Sequence, residues 1–147
     1  MAMRTFSSHA AVFALVPSLV LAQGIPETDN ILTAWYQALE SADVEALENL
    51  MAPENVTPFH YDIKDLNISQ NRQEFIDSMA EWVGVIDGGT IEYKIIDGDK
   101  AGYKALVCYH FSDSEFLSEE NVSIEDDKIT GFSQTAKSQD CSDVFDR

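Results

Sequence analysis

The sequence predicts an α+β fold, with helices in its first half and antiparallel strands in its second. Three observations carry this. Apolar residues recur at helical spacing from Asn30 to Pro53. A capping pattern opens a further helix at Asn71. After Gly89 the spacing changes to alternation, the period of a strand with one covered face.

In the first helix Ile31, Trp35 and Leu39 repeat at i, i+4 and i+8, and Leu32 and Tyr36 widen the stripe. Thr28, Asp29 or Asn30 is expected to cap it. Ser41-Ala42-Asp43 interrupts the run, and Asp43 can cap a second helix whose face is Val44, Leu47, Leu50 and Met51. Pro53 stops that helix. Residues 55–67 are the least regular; Val56, Phe59, Tyr61 and Ile63 suggest one short extended piece, and Pro58 keeps it from being a central strand. Asn71, with Glu74 three residues on, starts the third helix, which carries Phe75, Ile76, Met79, Trp82 and Val83. Asp87-Gly88-Gly89 ends it.

Ile91, Tyr93 and Ile95 then alternate with Glu92 and Lys94, and Asp97-Gly98-Asp99-Lys100 is a turn. It is not a calcium loop, because Ala101 and Cys108 fall at positions five and twelve of the loop. Gly102–Ser112 is a long strand whose odd residues, Tyr103, Ala105, Val107, Tyr109 and Phe111, should face the helices. Its even residues, including Cys108 and His110, should face away. Val122 and Ile124 mark a further strand, Glu125-Asp126-Asp127-Lys128 a hairpin turn, and Ile129–Thr135 the returning strand. The domain is thus expected over residues 23–135, with a polar tail over 136–147.

Residues 1–22 have the form of a signal peptide: Arg4, an apolar run from Ala10 to Leu21, and Val20-Leu21-Ala22 as a cleavage site. The run is shorter than the roughly 20 residues of a spanning helix, and no cysteine follows it for lipid attachment. Export to a periplasm or by secretion is expected, with no membrane association after cleavage. Removal of Arg4 with this segment leaves 8 basic against 26 acidic side chains. So acidic a surface excludes nucleic acid and anionic membranes as partners, since both need clustered Lys and Arg. Two cysteines in an exported chain, Cys108 and Cys141, invite a disulfide closing a loop of about 32 residues, worth roughly 3–4 kcal/mol; two buried thiols are the alternative. A tail crossing the outer face of the sheet would reach Cys108. Asn55-Val56-Thr57, Asn67-Ile68-Ser69 and Asn121-Val122-Ser123 fit the glycosylation pattern, which matters only in a eukaryotic source.

The stretches AWYQALESADVEALENLMAPENV, NRQEFIDSMAEW and VSIEDDKITGF, in this order, resemble the nuclear transport factor 2-like superfamily, nearest its SnoaL-like polyketide cyclase and ketosteroid isomerase-like branches. Asn71 stands where that family usually has Gly at the helix start, and Asp127 where a Gly precedes Lys-Ile. The resemblance covers residues 30–135. It implies a curved antiparallel sheet wrapped around three N-terminal helices, a cone with a pocket at its open end. The family holds isomerases, cyclases, dehydratases, epoxide hydrolases and non-catalytic binders, so the fold does not fix a reaction.

Against that fold, His60 lies near the general-base stretch of isomerase-like members, with Asp62 at the same parity to orient it; it is equally readable as an exposed loop histidine. Glu120 falls near their acidic oxyanion-hole residue, or belongs to a polar turn, Ser118–Asn121. Trp35, Tyr36, Phe59, Trp82, Tyr93, Tyr109 and Phe111 would line a cone pocket, or be ordinary core. Arg72 is the only arginine between Arg4 and Arg147, and its expected exposure argues against epoxide hydrolysis, which needs an Asp–Arg pair over a water. Neither zinc spacing nor a nucleophile or phosphate-loop motif occurs, and no cofactor is expected. The expected function is an exported protein binding a small apolar molecule. A cofactor-free isomerase, cyclase or dehydratase using His60 and Asp62, with Glu120 as a further candidate, is the alternative. A homodimeric interaction module using the outer sheet face is the third, and a tethered tail would compete with it.

Overall fold

The computed structural model describes residues 27–146, with side chains from residue 31. The expected signal peptide, residues 1–22, lies outside the described residues. Three helices, α1 (Glu27–Ser41), α2 (Val44–Leu50) and α3 (Arg72–Ile86), pack on a six-stranded sheet. The strands are β1 (Phe59–Ile63), β2 (Leu66–Gln70), β3 (Thr90–Asp99), β4 (Gly102–His110), β5 (Glu115–Glu125) and β6 (Lys128–Ser138). Their order across the sheet is β2-β1-β6-β5-β4-β3. No helix among the described residues is long and apolar enough to cross a membrane.

The helix boundaries follow from local chemistry. α1 begins at Glu27, so Thr28, Asp29 and Asn30 lie inside its first turn and do not cap it. At its end Ala42 adopts φ 51°, its N–H donates to Leu39 O and the Asp43 N–H donates to Ala38 O. This is the left-handed helix stop that glycine usually supplies. Asp43 then accepts from the Ala46 N–H at 3.0 Å and caps α2. Asn71 and Glu74 form a reciprocal capping box at α3.

Several features differ from the sequence expectation. Residues 59–70 form a hairpin, β1–β2, and not a single extended piece; its two-residue turn is Lys64-Asp65, with Lys64 at φ 57° and no glycine to announce it. The sheet is mixed and not wholly antiparallel, because β1 runs parallel to β6, with His60 opposite Ser133 and Asp62 opposite Thr135. A strand that enters beside the last strand of the chain has no hairpin to fix its direction. β5 also starts earlier than expected, so Ser118, Glu119 and Glu120 are strand and not turn, and β6 runs three residues past Thr135. Register shifts at Ile95/Asp97, Leu117/Ser118 and Ser123/Ile124 bend the sheet around the helices.

Strand alternation sorts the two faces as expected. Tyr103, Ala105, Val107 and Tyr109 of β4 join Val122, Ile124, Ile129 and Phe132 in one core with the helices. Trp35 is its centre, fully buried between Phe75 (5.6 Å, stacked), Phe132 (6.1 Å) and Phe59 (6.2 Å, edge-on). Burying one such ring is worth about 3 kcal/mol. On the opposite face Cys108 and Leu117 form a second small cluster with Cys141, Val144 and Phe145 of the tail. A Cys108–Cys141 disulfide closes it.

Two stability experiments test this account. Ala42→Gly relieves a left-handed alanine and should raise stability by about 1 kcal/mol in urea unfolding. Reducing the disulfide, or Cys141→Ser, should lower stability by about 3 kcal/mol and expose residues 139–146 to proteolysis before the rest of the domain unfolds.

Candidate functional site

β5 alternates Ser118, Glu120, Val122 and Ile124 onto the core side of the sheet. Glu120 therefore projects among the helices, where it is fully buried. Its carboxylate receives four hydrogen bonds. Oε1 accepts from the Tyr109 hydroxyl (2.7 Å), the Gln134 amide (2.7 Å) and the Ser118 hydroxyl (2.9 Å), and Oε2 accepts from the Tyr36 hydroxyl (2.8 Å). These donors come from α1 and from β4, β5 and β6. One is set directly by register: Gln134 of β6 lies opposite Glu120.

No salt bridge reaches Glu120 among the described residues. Burial raises its pKa above the usual carboxylate range, and the hydrogen bonds from Tyr109, Gln134, Tyr36 and Ser118 oppose that rise. The same burial, followed by the Glu120 charge, pushes the Tyr36, Tyr61 and Tyr109 phenols up. These tyrosines remain hydrogen-bond donors at neutral pH.

Beside this network lies a cavity of about 780 Å³ between α3 and the sheet. Its inner wall is aromatic: Trp35, Tyr61, Phe75, Trp82, Tyr109 and Phe132. Phe111 and Phe116, around the β4–β5 turn, extend it outward, with Asp113, Ser114 and Glu115 from the same segment. α3 contributes Ser78, Met79, Glu81 and Val85, and Gln139 follows β6. Tyr109 and Gln134 belong both to this wall and to the Glu120 network, so Glu120 stands behind the cavity surface and acts on it through them. The Trp35 indole Nε1, buried, has no partner.

The residues singled out in the sequence divide. Trp35, Trp82, Tyr109 and Phe111 line the cavity. Tyr36 and Phe59 are buried in the core behind it, and Tyr93 stacks on Tyr36 at 4.7 Å with its hydroxyl on Thr33. His60 and Asp62 are exposed, because Phe59, Tyr61 and Ile63 take the inward positions of β1. Neither borders the cavity or meets Glu120. Arg72 donates to the Glu48 carbonyl at 3.2 Å and lies outside the wall. Gln134 escaped the sequence reading; its signal was an amide at the parity of Phe132 opposite Glu120.

Outside the cone His110 bonds Glu92 through Nε2 (2.8 Å) and approaches Glu115 through Nδ1 (3.5 Å). Cys108 is beside them, but its sulfur is committed to the disulfide, so the three are not a metal ligand set.

No protein-family model matches the chain, and no curated protein sequence does. Solved structures do. An LEH-like epoxide hydrolase of M. tuberculosis superposes with a TM-score of 0.53 at 16% identity, over 76% of this chain and 86% of the other. IdmH of Streptomyces antibioticus, a candidate polyketide cyclase, gives 0.57 at 13% identity over 76% and 92%. An NTF2-like protein of unknown function from Cytophaga hutchinsonii gives 0.57 at 9% identity over 75% and 89%. Identities this low speak for the fold alone. Helix pair, hairpin, third helix and bent sheet in this order give the chain the nuclear transport factor 2-like fold.

Proposed function

We propose that the protein is an exported carrier or receptor for one small, flat, largely apolar molecule held in the cone. The observation that supports this most is the aromatic cavity of about 780 Å³ whose inner wall is braced by a buried carboxylate. Volume and lining suit a ligand of a few fused rings. The aromatic rings of the lining supply contact area. Export rests on the leader-like residues 1–22 and on the disulfide, which persists in oxidising compartments.

A second reading, a cofactor-free enzyme, is favoured by one observation, Glu120. A carboxyl with a raised pKa, held between two tyrosine hydroxyls, resembles a proton-donating device for an enolate-like oxygen. The structural neighbours include an epoxide hydrolase and a candidate polyketide cyclase. This reading rests on Glu120 with Tyr109, and no longer on His60 and Asp62. The base it needs would have to be one of the carboxylates of the lining, Glu81, Asp113 or Glu115.

Nile red, a neutral flat dye, tests the carrier reading. One equivalent should bind with blue-shifted emission, and Ser78→Tyr, which builds a ring into the cavity from α3, should weaken binding by about tenfold without loss of the folded signal. Saturable binding unaffected by that substitution would place the dye elsewhere and end the reading.

Glu120 makes a pH prediction. Its pKa is raised in the folded protein, so the folded state holds this proton more tightly than the unfolded chain does. The stability this group contributes is complete below the unfolded carboxyl range and falls as pH rises through it towards the folded value. Glu120→Gln removes that falling limb. In urea unfolding at about pH 5 and about pH 8, the variant should gain on the wild type at the higher pH. An unchanged difference between the two would mean that Glu120 is ionised in both states.

A further inference from the structure

We propose that the cavity selects a cation: a flat apolar body carrying a protonated amine. This rests on the binding reading above and adds the chemical class of the ligand. Among the described residues every formal charge on the cavity wall is negative: Glu81 of α3 and Asp113 and Glu115 at the β4–β5 turn border it, and no described Lys, Arg or His does. Glu81 and Asp113 have no ion pair among the described residues. Glu115 counts least, because it lies 3.5 Å from His110 Nδ1 and accepts from the Cys141 N–H at 3.1 Å.

The inner wall is consistent with this. The faces of Trp82, Tyr109 and Phe111 are electron-rich surfaces that attract an ammonium group stripped of water. Gln134 donates its amide nitrogen to Glu120 and also lines the cavity. Glu120, behind Tyr109 and Gln134, holds no cation of its own; when ionised it adds negative potential to the inner end. An anionic ligand would meet carboxylates at the rim and π-faces inside, with no donor cluster to receive it. A neutral ligand would be accepted without preference. The acidic surface as a whole, with a formal net charge of −17, draws the same ions towards the mouth.

Three isosteric probes test the inference: 2-naphthylmethylammonium, 2-naphthylmethanol and 2-naphthoate, titrated by calorimetry at low and high salt and in competition with Nile red. The ammonium should bind about tenfold tighter than the alcohol, with the carboxylate weakest, and should displace the dye. The Glu81→Gln/Asp113→Asn double variant changes two exposed side chains; it should narrow the ammonium preference while leaving the affinity for the alcohol unchanged. Equal binding of the three probes, or tighter binding of the carboxylate, overturns the cation inference and leaves the carrier reading standing. Ammonium binding that does not displace the dye, or a preference unmoved in the double variant, marks general attraction to an acidic surface and also overturns it. Failure of all three probes and of Nile red overturns the carrier reading itself.

Discussion

A carboxylate buried without a cation constrains the interior of this protein more than any other group. Removing Glu120 from water costs several kcal/mol if it is charged, and the fold offsets that by bringing four donors to two oxygens. Tyr36 reaches it from α1, Tyr109 from β4, Ser118 from its own strand and Gln134 from β6. Satisfying Glu120 therefore fixes the depth of α1 over the sheet and the register of three neighbouring strands at once. A slip of one residue in β5 would turn Glu120 to the outer face and bring Glu119 inward without these partners. The aromatic cluster around Trp35 supplies most of the apolar contact, but it tolerates small shifts that a hydrogen-bonded carboxylate does not.

The network also shapes the cavity. Tyr109 and Gln134 each turn one polar atom towards Glu120 and leave the rest of the side chain to the cavity wall. The wall is consequently apolar in most of its area and polar at chosen points, the usual constitution of a small-molecule site. On the far side of the sheet the disulfide ties the tail across Leu117, so Val144 and Phe145 cover apolar surface that β4 and β5 would otherwise present to water. Cavity and tail meet at Glu115 and Gln139, where the rim of one is continuous with the anchor of the other.

Much of this arrangement was legible in the residues. The helix pair, the Asn71–Glu74 box and the alternation through β4 are local patterns with local causes; the disulfide was suggested by the even cysteine count, and the parity of Cys108 put it on the face a tail could reach. The hairpin at Lys64-Asp65 was not legible, because its turn lacks the Gly or Asn that marks a left-handed residue. Parallel pairing of β1 with β6 was equally hidden, since contacts between residues some seventy positions apart leave no spacing in the sequence. Glu120 was visible as a candidate only through family resemblance; its four partners come from separate elements and carry no common motif. Tyr61 read only as part of an extended piece and Phe75 as part of a helix face, and a core aromatic differs from a wall aromatic only by the empty space beside it.

That space bears on the choice between a carrier and a catalyst. Proton transfer from carbon needs a base within hydrogen-bond reach of the substrate and an acid or donor at the developing oxygen. The inner end holds part of the second half, but Tyr36 and Tyr109 donate their hydroxyl protons to Glu120, which stands behind the cavity surface. The first half would have to come from Glu81, Asp113 or Glu115. Of these Glu81 and Asp113 are exposed, and Glu115 is engaged with His110 and the tail. Carboxylates so placed attract an ammonium ion more readily than they abstract a proton. The distribution of charge, acidic at the rim and hydrogen-bonded at depth, is the ground on which the proposed carrier reading is put before the catalytic one.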